Sequence, residues 1–147
     1  MLKNSHRHLI EWGECDPAGI VYYPRYFALF DHATTLLISR ASGLNKFQLL
    51  RTYGMVGYPM VDTQAKFHKP NRYGDEVTIE SEFARIGTAS FDVAHRIVRD
   101  GVLTVEGFEK RVWAGRDPHD PDRIRSQPIP DDLAARFRGA TGATRPA

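Results

Sequence analysis

The spacing of apolar and polar residues divides this chain into one helical stretch near its start and a series of strands after it. From Pro24, the positions Phe27, Phe30, Thr34, Leu37 and Ala41 recur at close to a helical period, and Gly43 supplies a stop. Tyr26, Leu29, Ala33, Leu36 and Ile38 widen the stripe. A helix of about 18 residues that is apolar over so much of its circumference has to be wrapped by something else. Residues 44–53 predict a second, shorter helix ended by Gly54, and residues 6–12, with Leu9, Ile10 and Trp12, predict a strand ahead of both.

Downstream the period changes to two. Residues 56–68 are strand-like, 70–75 form a turn cluster, and 76–86 and 90–99 alternate cleanly, with Phe91, Val93, His95 and Ile97 sharing one face. Asp100-Gly101 is a hairpin signal, and residues 102–114 predict the last strand, with a bulge expected at Gly107. Residues 116–130 read as loop and 131–137 as a final helical turn. A single domain over 1–138 is expected, followed by a disordered tail over 139–147. Strand, long helix, then four hairpin-linked strands is an α+β order, and an antiparallel sheet curled around an apolar helix is the hotdog architecture. A single such sheet leaves an exposed edge and an open helix face, so a homodimer or homotetramer is expected.

Composition narrows the function. The chain has 147 residues, is 41% hydrophobic and 26% charged, and carries a formal charge of +2, which describes an ordinary globular domain. Its Lys and Arg residues are scattered without interleaved aromatics, so a nucleic-acid partner is not expected. Neither a signal-peptide core nor an apolar run of ~18 residues occurs, which predicts no membrane association and a cytoplasmic address. The single cysteine, Cys15, excludes an intrachain disulfide and a cysteine zinc cluster. His6 and His8 lie at strand spacing without a third ligand, so no metal is expected. Glycine-rich phosphate loops and a GxSxG elbow are absent, which argues against a nucleotide cofactor and serine hydrolase chemistry.

Candidate chemistry concentrates between Glu14 and Ala33. Asp16-Pro17-Ala18-Gly19 forms a turn, Ile20-Val21-Tyr22-Tyr23 follows, and Pro24 opens the helix. Free N–H groups at a helix start near Tyr23 can polarise a carbonyl oxygen. Asp16 could then attack the carbonyl carbon or deprotonate a water that does, and spacing leaves both roles open. Asp31, beside the apolar stripe, either holds a loop or contacts ligand. Cys15 reads as a buried thiol, and His32 and His68 as structural or solvated. Trp12, Phe47, Tyr58 and Met60 read more readily as core than as an aromatic pocket.

The segment GECDPAGIVYYPRYFALFDHA resembles the signature of the 4-hydroxybenzoyl-CoA thioesterase family of hotdog proteins, with CDPAGIV and its following aromatic pair close to the aryl-CoA branch. The resemblance implies hydrolysis of an aromatic acyl-CoA to free acid and CoA. Asp16 takes the place of the catalytic carboxylate and the Tyr23 backbone N–H that of the oxyanion donor. Gly19, Asp31, Tyr58 and Pro59 take substrate-binding positions, the Gly57–Pro59 segment lining the acyl pocket of the other subunit. Tyr58 stands where the family's aryl enzyme has Thr. Ser90-Phe91 matches a family pair preceded by a basic run, of which only Arg85 remains here, so Arg85 and Ser90 are expected at the CoA end, aided by Lys66 or Lys69. The runner-up readings are a short- or medium-chain aliphatic acyl-CoA thioesterase, a hotdog hydratase, which needs a His close to the acid, and a non-catalytic acyl-CoA-binding module.

Overall fold

The structure, a computed structural model, describes residues 1–140. Strand β1 (Lys3–Leu9) leads through a short turn of 3-10 helix (Trp12–Glu14) to α1 (Pro24–Ser42) and α2 (Lys46–Tyr53). Strands β2 (Met60–Phe67), β3 (Glu76–Ile86), β4 (Ser90–Arg99) and β5 (Val102–Val112) follow, then β6 (Ala114–Arg116), β7 (Ile124–Ser126) and α3 (Asp131–Phe137). Strands β1 to β5 form one antiparallel sheet in the order β1-β3-β4-β5-β2, with α1 against its inner face. This is the expected hotdog arrangement.

Helix α1 begins at Pro24, whose fixed φ suits a first turn, and stops at Gly43, which takes a left-handed φ of 72° while its N–H bonds the Ser39 carbonyl. Tyr26, Leu29, Phe30, Ala33, Thr34, Leu37 and Ile38 are buried, so the inward stripe follows the expected period. Two clusters make the core. Phe30, Ile79, Ile97 and Val105 surround the N-terminal half of α1, and Phe83, Phe91, Trp113 and Phe137 gather under α2 and α3. The outer face of α1 stays open, with Ala28, Asp31 and His32 exposed. β2 is an edge strand, nearly all of it exposed on both faces.

Several local expectations are corrected. β1 ends at Leu9, and Trp12, 63% exposed, rests edge-on against Tyr73 instead of extending the strand. The bulge in β5 lies at Thr104, since Ile97 pairs with Val105 and Val98 with Leu103. Gly107 keeps regular register and is small for another reason, the approach of Phe30. Residues 116–130 are not all loop: β6 and β7 form a ribbon, with the Gln127 side chain packed over Gly115. Phe47 and Met60 are exposed, and of the four suggested core residues, Trp12, Phe47, Tyr58 and Met60, only Tyr58 is buried. Gly139 and Ala140 bond back to α3, and positions 141–147 of the expected tail lie outside the described residues. No helix among the described residues is long and apolar enough to cross a membrane.

Candidate active site

Asp16 sits in a closed loop pinned at both ends. Cys15 pairs with Val21 across it, the Asp16 N–H donates to the Ile20 carbonyl, and the Gly19 N–H donates to the Asp16 carbonyl. Gly19 takes φ of 76°, a left-handed conformation that a side chain would strain. The Asp16 carboxylate accepts one bond, from the Ala18 N–H at 2.8 Å, which fixes its rotamer as an Asx turn and leaves its other oxygen without a donor among the described residues.

The next few amides are sorted by their partners. Val21 donates to the Asn71 carbonyl, Tyr22 to Glu14, Arg25 to Tyr22 and Tyr26 to Tyr23. Pro24 has no N–H to offer. Among the described residues, that leaves the Tyr23 N–H as the donor without an acceptor at the start of α1. Ile20, Val21, Tyr23, Tyr26, Phe67 and Pro70 line a depression of about 380 Å³ beside it. Tyr23 and Tyr26 both meet the Phe67 ring.

A second layer, which sequence reasoning missed, holds the loop. Fully buried Asn71 donates to the Tyr26 hydroxyl and to Thr104, and its own carbonyl side-chain oxygen accepts from Arg99. Arg99 also donates to the Pro70 carbonyl and pairs with Asp75 at 2.8 Å. Asn71 lay in a segment rich in turn formers, where an Asn carries no distinguishing signal.

Asp31 is exposed on the open face of α1 and accepts from Arg111 Nη2 at 2.7 Å. Behind it runs a buried polar chain. Arg111 donates to both oxygens of Glu109, at 3.0 and 2.9 Å, and Glu109 accepts from the Thr34 hydroxyl at 2.6 Å. His95 Nε2 reaches Thr34, His95 Nδ1 shares a bond with Ser81, and the ring stacks on Phe30. Because Thr34 spends its hydrogen on Glu109, Nε2 is the protonated nitrogen of that contact. Burial by itself pushes the Glu109 carboxyl up, but His95, Arg111 and Thr34 outweigh it and hold the pKa at about 2. The one legible trace was His95 on the apolar face of its strand.

The remaining expected residues are more dispersed. Tyr58 is buried in its own chain, its hydroxyl bonded to Thr35 and its ring flanked by Lys46 and Arg111, while Pro59 is exposed. Arg85 grips Asp92, which is buried, through two bonds of 2.8 and 3.0 Å and also reaches Ser90 Oγ at 3.0 Å, so these three form one cluster beside the β3–β4 turn. Cys15 is half-buried, not buried, and its thiol contacts the Glu11 carbonyl. His68 bonds Glu106, and His32 rests edge-on against His6. No group of three or more metal-ligating side chains occurs among the described residues.

Comparison with known proteins shows the family. The thioesterase-like superfamily profile matches residues 10–137. The chain is 33% identical over 128 residues to the 4-hydroxybenzoyl-CoA thioesterase of Pseudomonas sp. (strain CBS-3), covering 84% of this chain and 89% of that one. The solved structure of that enzyme superposes with a TM-score of 0.84 at 30% identity, over 92% of this chain and 99% of its own. A 1,4-dihydroxy-2-naphthoyl-CoA hydrolase of Synechococcus elongatus is 26% identical over 97 residues, 66% of this chain and 71% of its own. With the helix-wrapping sheet and the acid loop in place, the chain belongs to the thioesterase-like superfamily, within its hotdog-fold 4-hydroxybenzoyl-CoA thioesterase family.

Proposed function

We propose that this thioester hydrolase acts on an aromatic acyl-CoA of the 4-hydroxybenzoyl-CoA type, with Asp16 as the reacting carboxylate and the Tyr23 backbone N–H as the donor to the thioester oxygen. The observation that carries the reading is the pairing of an unengaged Tyr23 N–H with a rotamer-fixed Asp16 on one pinned loop. Aromatic walls from Tyr23, Tyr26 and Phe67 beside that loop suit a planar acyl group. Relatives named for 4-hydroxybenzoyl-CoA and 1,4-dihydroxy-2-naphthoyl-CoA point to the same substrate class.

In the reaction, an oxygen bonds to the thioester carbon and the carbonyl π electrons move to its oxygen, where the Tyr23 N–H meets the developing charge. Collapse of that intermediate breaks the C–S bond and releases CoA as thiolate. If Asp16 supplies the attacking oxygen, water then cleaves the mixed anhydride. If Asp16 takes a proton from water, the acid forms in one addition. Gly19, Asp31, Tyr58 and Pro59 are assigned to the acyl side, and Arg85 with Ser90 to the CoA end. The unpaired β2 edge and the open α1 face favour a homodimer or homotetramer that completes the site. A reducing cytoplasm suits the single thiol.

Thiol release from benzoyl-, 4-hydroxybenzoyl-, phenylacetyl- and aliphatic CoA thioesters tests the reading. Wild type should favour the aromatic esters, and Asp16→Asn should lose about 10²- to 10⁴-fold in kcat while still binding substrate. Near wild-type turnover by Asp16→Asn sinks the assignment of Asp16. Preference for aliphatic esters sinks the substrate class.

A further inference from the structure

Two limbs make the closed loop that carries Asp16. Residues 14–16 run out and 20–22 run back, joined by the Asp16 N–H to the Ile20 carbonyl and the Tyr22 N–H to the Glu14 carbonyl. The return side rests on the segment before β3. There the Val21 N–H donates to the Asn71 carbonyl, and the Tyr73 N–H donates to that of Gly19. The outgoing limb has a different anchor. His8 Nε2 lies 2.9 Å from each oxygen of the Glu14 carboxylate. Among the described residues, His8 is the one member of the main sheet that hydrogen-bonds residues 14–16.

His8 is itself fixed, since β1 holds it opposite Val77 in antiparallel register. The His8 side chain is 26% exposed and that of Glu14 17%, so the contact is largely withdrawn from solvent. A carboxylate only accepts, so Nε2 carries the hydrogen of this contact whether the ring is neutral or charged. One of the same Glu14 oxygens accepts the Glu11 N–H at 2.8 Å, which closes the 3-10 turn ahead of the loop. Glu14 thus works at both ends: its carboxylate is tied to β1, and its carbonyl takes up the amide next to the unengaged Tyr23 N–H. Asp16 follows two residues later on the same limb. A shift of Glu14 would move Asp16 and the Tyr23 N–H relative to each other, and a misplacement of about 1 Å can cost about 10²-fold in rate.

We infer that His8, acting through Glu14, is a positioning residue that holds Asp16 and the Tyr23 N–H in fixed relation to each other. This rests on the reading of Asp16 as the reacting carboxylate and of the Tyr23 N–H as the donor to the thioester oxygen. His8 touches no reacting atom, and its contribution passes entirely through Glu14.

The test measures thiol release from the best substrate of the CoA thioester panel in wild type, His8→Leu, His8→Gln, Glu14→Ala and the double variant His8→Leu/Glu14→Ala. Thermal melting of each protein accompanies the kinetics. Gln places an amide N–H near the position of the ring Nε2, so it can restore the bond without the ring. His8→Leu and Glu14→Ala should each lower kcat about tenfold with KM within about threefold, and His8→Gln should recover kcat to within about twofold of wild type. The double variant should fall no further than Glu14→Ala, because both changes remove one contact. Wild-type kcat in His8→Leu, or His8→Gln as slow as His8→Leu, overturns the inference. So do additive losses in the double variant, and losses that follow Tm instead of the presence of a donor at position 8. Should His8→Leu fail to fold, Glu14→Ala decides: a tenfold loss in kcat at unchanged KM upholds the role, and wild-type kcat overturns it. Asp16→Asn separates the inference from the reading beneath it. If that variant turns over like wild type, both fall. If it is inactive while His8→Leu is not slowed, the inference falls alone.

Discussion

The Phe30 ring occupies the space that a side chain at position 107 would fill, so α1 and β5 touch through Gly107. A Cβ built there overlaps the edge of the ring, which also stacks on His95, the cross-strand partner of Gly107, at 4.8 Å between ring centroids. Gly107 thus sets the depth at which α1 beds into the sheet. Replacing it with alanine should destabilise the fold by about 1–3 kcal/mol through overpacking. Pairing that change with Phe30→Leu should recover part of the loss. Urea denaturation of the single and double variants checks this, and a Gly107→Ala protein as stable as wild type contradicts it.

Acid should unfold the protein partly through Glu109. Its folded pKa is about 2 against an ordinary 4.5, so between those values the unfolded chain binds a proton that the folded state refuses. Stability from this group is present above pH 4.5 and is lost as pH falls towards 2, amounting to about 3 kcal/mol. Comparing Glu109→Gln with wild type across that window isolates the contribution. The variant should have the shallower acid slope, and parallel slopes would count against the network.

His6 should make stability pH-dependent nearer neutrality. Both of its ring nitrogens are buried without a hydrogen-bond partner among the described residues. Burial lowers its pKa, and the neighbouring His32, His8 and His95 lower it further. The unfolded chain therefore takes up this proton first as pH falls below 6.5, and stability drops from there downward. His6→Phe, which keeps an aromatic ring, should reduce the fall in Tm between pH 7.5 and 5.5. An unchanged fall would remove His6 as its source.

Arg85 should matter to CoA binding as well as to stability. Its own side chain is 46% exposed, but Asp92, which it grips through two bonds, is buried. Arg85→Gln should therefore lower Tm by leaving that carboxylate without its cation, and in the folded variant KM for acyl-CoA should rise about two- to tenfold, more at low salt than at high. Unchanged KM at low salt would exclude Arg85 from the CoA end.

Local geometry was legible wherever a residue's preference is decided by its immediate neighbours. Pro24 and Gly43 bound α1, β3 and β4 have the extents their alternation predicts, and Asp100-Gly101 turns the hairpin with both residues left-handed. The Asp16 turn and the helix start were visible for the same reason, since turn chemistry acts over a few bonds. Gly107 shows the limit: glycine in a strand suggests a bulge, but the bulge falls at Thr104 and Gly107 answers to a ring 77 positions earlier in the chain.

The sequence by itself determined the long helix, the five strands of the main sheet, the acid loop and the family to which they belong. Only the tertiary structure decided what surrounds them. Which amide at the helix start goes unpaired depends on carbonyls from Glu14 and Asn71, and no spacing rule connects those residues to Tyr23. The chain from Ser81 through His95, Thr34, Glu109 and Arg111 to Asp31 draws on β3, β4, β5 and α1, none of whose members signals the others in sequence. Buried polar groups must find partners, but who the partners are is set by packing across distant segments. Asp31 was therefore readable as an acid beside an apolar face, whereas the guanidinium that holds it became visible only once the sheet had closed around the helix.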